Sequence, residues 1–170
     1  VLVAFSPTVI AHARLVTTDM AAATGVLAAT YCFLRYLRAP TRRNFWIAGI
    51  VLGLALLCKF STVLLGPYLM LIALLWGLEG HGASGRHWRL AAQWLWRTIL
   101  IGLVALALVW AVYLIQTIHY TVAEQAVQTR GIIHNPHNIT ERFTVWAADK
   151  PVVRALAQWT LGLGMVEGRA

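Results

Sequence analysis

The sequence predicts an all-α, polytopic integral membrane protein with about four transmembrane helices and an extracytoplasmic tail that contains short helices. The first observation is composition: the 170 residues are 59% hydrophobic and only 12% charged, and the mean hydropathy is +0.68. A soluble domain is nearer half apolar and a quarter charged. The second observation is arrangement, because the apolar residues form runs that reach the ~20 residues a helix needs to cross a bilayer.

The apolar runs predict a transmembrane region over residues 1–118. It holds the end of an earlier span and then four spans, near 20–37, 44–60, 62–78 and 98–118. Residues 44–78 are too many for one crossing, since a helix rises ~1.5 Å per residue and the hydrocarbon core is ~30 Å thick. The chain must therefore turn back, either at Lys59-Phe60-Ser61 or at Gly66-Pro67, where proline removes a helix hydrogen bond.

The basic residues predict the orientation of these spans. They cluster in two short loops, one with Arg35, Arg38, Arg42 and Arg43, the other between Glu79 and Arg97. The positive-inside rule places both loops in the cytoplasm. The rule also explains the net charge of +8. Because no recognised DNA-binding module or aromatic-plus-basic groove accompanies that charge, we exclude nucleic acid as a partner and expect membrane lipids instead.

Residues 119–170 are more polar and predict an extracytoplasmic loop region. Short helices are expected over 121–130 and 152–159. The chain begins at Val1 without an initiator methionine or a basic n-region, so no signal peptide is expected. It ends at Ala170 without a further span. We therefore expect a piece of a longer protein, truncated within the extracytoplasmic region.

Asp19 and Lys59 are the first candidate functional residues, because ionisable groups beside apolar spans are costly in lipid and tend to pair or to act on a substrate. Asp19 suits a helix N-terminus as a cap, or it orients an acceptor, a sugar or a metal. Lys59 either extends its ammonium to the lipid headgroups or binds an anionic lipid-linked phosphate as a point charge. Both are predicted on the extracytoplasmic face.

Two further candidates, His12 and Arg14, precede Asp19. They serve either as interface anchors or as substrate-binding groups, with Arg14 holding a phosphate or pairing with Asp19. His134 and His137 are a weak metal signal, since a proline separates them and no carboxylate or cysteine set completes a site. No metal ligands are therefore assigned, and the cysteines Cys32 and Cys58, both within apolar runs, are expected to be structural.

Three sequence pieces together resemble a known family. They are Ser6-Pro7, the segment from Ala11 to Asp19 (AHARLVTTD), and Gly49 followed by Gly53-Leu54-Ala55 and Cys58-Lys59-Phe60-Ser61. The pattern resembles the polyprenol-phosphate-sugar-dependent glycosyltransferases of the membrane-embedded GT-C class. It is closest to the protein O-mannosyltransferase-like group (glycosyltransferase family 39-like), which includes the lipid A aminoarabinose transferases. The resemblance covers residues 1–78 well and the remainder loosely.

The resemblance implies a membrane enzyme that moves a hexose or pentose, with inversion, from a polyprenyl-phosphate carrier to a protein, lipid or glycan acceptor. It implies a bacterial inner membrane and a site facing the periplasm. Asp19 matches the family's second acidic position, as a supporting carboxylate, and Lys59 matches a basic position near the lipid phosphate. The family's first-loop carboxylate, a base or metal ligand, would lie upstream of Val1. This piece alone is therefore expected to be inactive, and a divalent metal stays open as a cofactor.

Two other functions fit the charged residues. A secondary transporter, or a fragment of one, would use Asp19 and Lys59 as substrate or coupling groups, but the inverted repeats and paired broken helices typical of transporters are not seen in the sequence. A structural membrane subunit would need no chemistry at all, and Asp19 would then act only as a helix cap.

Overall fold

The computed structural model describes residues 18–79, 87–117, 146–147, 150 and 153–160. The long helices in these ranges are α1 (Thr18–Arg38), α2 (Arg42–Cys58), α3 (Leu65–Glu79) and α4 (His87–Thr117), and a 3₁₀ helix (Phe60–Leu64) joins α2 to α3. A short helix occupies 153–160, and the helix expected over 121–130 lies outside the described residues. No strand occurs in the described ranges, so the prediction of an all-α protein is confirmed.

Among the described residues, three helical stretches are long and apolar enough to cross a membrane: Asp19–Arg38, Phe60–Leu78 and Trp88–Gln116. Helix α2 has 17 residues, which makes it about 26 Å long at the usual helical rise. Large apolar side chains are exposed on each of the four long helices, among them Leu27, Leu54, Leu71 and Leu103. Such a surface suits contact with lipid rather than water. The protein is therefore a polytopic integral membrane protein.

Helices α1 and α2 form an antiparallel hairpin. Tyr36, near the end of α1, contacts Phe45, near the start of α2, with ring centroids 6.0 Å apart. Nearer the other end of the hairpin, a Cβ added to Gly25 would lie only 3.1 Å from the Cβ of Ala55, which is fully buried. Small residues at a helix interface let two backbones approach closely, which favours helix association in a membrane.

The turn of this hairpin is short and satisfies its own backbone. The Thr41 hydroxyl caps α2 by accepting a hydrogen bond from the Asn44 backbone N–H at 3.2 Å. The buried Asn44 side chain donates back to the Ala39 carbonyl at 2.8 Å. A hydroxyl cap of this kind is typical of a helix start, and together the two bonds pair polar groups within the turn itself. Four arginines flank the turn: Arg35, Arg38, Arg42 and Arg43. We call this the basic end of the hairpin.

Helix α3 runs back toward the basic end. A Cβ added to Gly77 would lie 2.5 Å from the Cα of Ala91, so the end of α3 packs directly on the start of α4. One turn later, Trp94 contacts Tyr36, with ring centroids 6.1 Å apart. Helix α4 then passes α2, where a Cβ on Gly49 would be 2.6 Å from a methyl carbon of Val104. The described helices of the first unit of the chain, Val1–Ala105, are thus packed closely against one another.

Helix α4 begins earlier than the span predicted from residue 98. Arg89 and Arg97 lie inside its first turns, although their charges favoured a loop in the sequence. Arginine is a good helix former, and the Arg97 guanidinium packs over the Trp94 ring at 4.9 Å from its centroid. The part of the basic segment from His87 to Arg97 therefore belongs to α4.

Candidate active site

Asp19 and Lys59 are in direct contact at the end of the hairpin opposite the basic end. The Lys59 ammonium Nζ donates to the Asp19 carboxylate Oδ1 and forms an ion pair. The antiparallel hairpin causes this contact, because it brings the start of α1 beside the end of α2. Two residues 40 positions apart in the sequence are thus joined. We call this the Asp19–Lys59 end.

Local structure explains how each partner reaches the other. Asp19 lies in the first turn of α1, where a carboxylate is favoured by the partial positive charge of the helix N-terminus. Lys59 directly follows Cys58, the last residue of α2, and its backbone is extended, with φ −159° and ψ 140°. An extended residue leaves the helical path, so the Lys59 side chain is directed away from the next turn that α2 would have made.

The break after α2 is held by Thr62. Its hydroxyl oxygen lies 2.9 Å from the Ala55 carbonyl oxygen and 2.6 Å from that of Lys59. Its backbone N–H also donates to the Lys59 carbonyl at 3.1 Å. Carbonyls in the last turn of a helix lack intrahelical partners. The Thr62 hydroxyl provides such a partner for the Ala55 carbonyl. Helix α3 then runs without a break through Gly66 and Pro67, so the break lies at Lys59 and not at the proline.

The ion pair is accessible to a ligand. The Asp19 and Lys59 side chains are 62% and 42% exposed. An ion pair with this exposure contributes at most about 1 kcal/mol to stability, because solvent and dissolved ions screen the attraction between the two charges. Loss of the ion pair would therefore change the stability of the folded protein only slightly. The two charges are better suited to bind a polar ligand than to hold the helices together.

The other predicted site residues fall outside the part of the chain that the structure describes. His12 and Arg14 are outside the described residues, as are His134 and His137, so their contacts with Asp19 or with a metal stay predictions. Within the described ranges, no group of three or more His, Cys, Asp or Glu side chains could hold a metal ion. Cys32 is partly buried and Cys58 is exposed, and both are free thiols.

A family comparison identifies the type of protein. The family model of the dolichyl-phosphate-mannose-protein mannosyltransferases matches residues 1–124, which include all four long helices and both members of the ion pair. The chain belongs to this family. It is therefore a membrane glycosyltransferase of the GT-C type, as the resemblance implied. No curated protein and no solved structure matches the chain.

Proposed function

We propose that this glycosyltransferase moves a sugar from a polyprenyl-phosphate carrier to an acceptor at the extracytoplasmic surface, and that Asp19 and Lys59 belong to its site. The observation that carries the proposal is their ion pair. It is exposed, it lies at the ends of apolar helices, and it is opposite the basic end. A carrier bound there keeps its prenyl chain in the hydrocarbon while its phosphate and sugar reach the aqueous surface.

Lys59 is proposed to bind the phosphate of the carrier. When the bond from the sugar to this phosphate breaks, negative charge develops on the leaving phosphate oxygen. A cation fixed near that oxygen stabilises the charge more in the transition state than in the ground state, and such stabilisation is commonly the largest contribution to catalysis. In the structure the same ammonium donates to Asp19, so a bound phosphate would replace the carboxylate as its partner.

Asp19 is proposed to orient the acceptor. Once the phosphate has engaged Lys59, the carboxylate can accept a hydrogen bond from the acceptor hydroxyl and direct it at the sugar carbon. This supporting role does not require Asp19 to be the principal base.

Arg14 and His12, which precede Asp19 in the sequence, are proposed to bind the lipid phosphate or the sugar. The sugar is proposed to be a hexose or pentose and the acceptor a protein, lipid or glycan.

The orientation is also a proposal: the basic end faces the cytoplasm and the Asp19–Lys59 end faces the periplasm of a bacterial inner membrane. The positive-inside rule supports it. In a variant lacking both native cysteines, Ser61→Cys at the break and Ala39→Cys in the hairpin turn report the two ends. Both native residues are exposed and uncharged. A membrane-impermeant thiol reagent is expected to label Ser61→Cys in intact spheroplasts and Ala39→Cys only after lysis. The reverse labelling would contradict the orientation.

Binding of the donor tests the proposed substrate class. The purified protein in lipid nanodiscs is expected to bind a radiolabelled polyprenyl-phosphate sugar. Unlabelled polyprenyl phosphate should displace it, whereas the uncharged polyprenol of the same length should not, because the proposed recognition is of the phosphate. Equal displacement by both would show that the prenyl chain alone is recognised, and the role given to Lys59 would be withdrawn.

A further inference from the structure

We propose that Thr62 is a positioning residue for Lys59: its hydroxyl fixes the helix break that holds the Lys59 ammonium at the Asp19 carboxylate. The inference rests on the role given to Lys59 in the proposed function and adds a residue that does not itself touch substrate. Sequence patterns do not single out Thr62, because its importance comes from which carbonyls its hydroxyl meets.

The contacts of Thr62 connect both sides of the break. The residue is only 4% exposed. Its hydroxyl lies within hydrogen-bond distance of the Ala55 carbonyl, which belongs to the last turn of α2, and of the Lys59 carbonyl, which belongs to the break itself. The Thr62 N–H also donates to the Lys59 carbonyl. The backbone of Lys59 is therefore held from its carbonyl side by one residue, and this fixes where its side chain begins.

Two other threonines show what an ordinary helical threonine does. The hydroxyls of Thr24 and Thr98 donate to Met20 and Trp94, each the carbonyl four residues earlier in the same helix. Such bonds are common in helices and leave the helix intact. Thr62 differs because Ala55 is seven residues earlier and on the preceding helix. The bond thus stabilises the break and not a regular turn.

Removal of the Thr62 hydroxyl is the test. Thr62→Val keeps the shape of the side chain but removes the hydroxyl, and Thr62→Ser keeps the hydroxyl. We expect Thr62→Val to lower kcat/KM for the donor about tenfold, mostly through a lower kcat, since a misplaced ammonium stabilises the charge that develops on the leaving phosphate less well. Thr62→Ser should remain near wild type. Thr98→Val is the matched control. Thr98 is also buried, but its hydroxyl donates to the Trp94 carbonyl of its own helix and not to Lys59.

Combination with Lys59→Ala separates the two proposals. If Thr62 acts through Lys59, Thr62→Val should cause no further loss in the Lys59→Ala background, since residues that act through one another are not additive. If Lys59→Ala itself leaves activity unchanged, the proposed function fails. If Lys59→Ala lowers activity while Thr62→Val behaves like Thr98→Val, only the inference about Thr62 fails. An equal loss from Thr62→Val in both backgrounds would show a general structural role and overturn the inference.

A second measurement does not depend on activity. In a variant lacking both native cysteines, Asp19→Cys and Lys59→Cys are joined by a short bifunctional thiol reagent in membranes. We expect efficient cross-linking when Thr62 is present and a clear loss with Thr62→Val, or with Thr62→Ala if the valine variant does not insert. Thr98→Val should cross-link as the parent does. Unchanged cross-linking, or failure of both Thr62 variants to insert, would overturn the positioning role.

Discussion

Replacement of Lys59 with alanine is expected to lower kcat/KM for sugar transfer by roughly 100-fold or more, the usual cost of removing one charge-stabilising group from an active site. The physical reason is that the leaving phosphate loses its cation at the moment when its negative charge grows. Lys59→Arg should retain part of the activity, because it keeps the charge but presents it as a planar group of different reach.

The matched control for this loss is Arg43→Ala. Arg43 is also an exposed cation on the α1–α2 hairpin, but it lies at the basic end. Its replacement removes the same charge from the protein and should leave kcat/KM close to that of wild type. Steady-state transfer assays of the full-length protein in lipid nanodiscs, with protein amounts matched by folded fraction, measure both variants. Equal losses in Lys59→Ala and Arg43→Ala would indicate a general charge effect and contradict a site at Lys59.

Exchange of the two charges is the second large expected effect. Asp19→Asn alone is expected to lower transfer by about 100-fold or more, within the range for loss of a positioned acid–base group. The double variant Asp19→Lys with Lys59→Asp restores an ion pair but reverses its direction. The phosphate would then meet a carboxylate and the acceptor an ammonium, so activity should stay lost.

The double variant Asp19→Lys with Lys59→Asp distinguishes an active-site role of the ion pair from a purely structural role. If the pair only joined α1 to α2, either polarity would serve, and the double variant would recover the activity and the thermal stability that the single variants lose. We expect recovery of stability at most, and that recovery should be small because the pair is exposed. Thermal unfolding in detergent, measured beside transfer activity, gives both quantities. Full recovery of transfer in the double variant would contradict the proposed roles.

The sequence predicts the fold better than it predicts the site. Long apolar runs leave few alternatives to membrane helices, since every backbone polar group in lipid must be paired internally. The basic loops and the turn after α2 then put Asp19 and Lys59 at the same end. The sequence pattern could not show that the Asp19 and Lys59 side chains are in contact. The geometry of the hairpin shows it.

The position of the helix break could not be settled from the sequence because two signals competed. Pro67 is a strong helix breaker in general, but it lies in the first turn of α3, where a missing N–H costs little. Lys59 carries no intrinsic breaking tendency. The break is stabilised there by the Thr62 hydroxyl through a bond to Ala55 on the preceding helix, and no local propensity scale contains such a contact. The roles of His12 and Arg14 stay predictions from their position beside Asp19.

The most direct test of the central claim is turnover by the purified full-length protein with radiolabelled polyprenyl-phosphate sugars, comparing wild type with Lys59→Ala and Asp19→Asn. We predict that the wild type transfers the sugar, or hydrolyses the carrier when no acceptor is present, and that both variants lose this turnover while their folded amounts stay unchanged. Wild-type turnover in both variants would contradict a site at the ion pair. Absence of turnover with every donor, together with substrate flux in liposomes that requires Asp19 and Lys59, would contradict the proposed reaction itself.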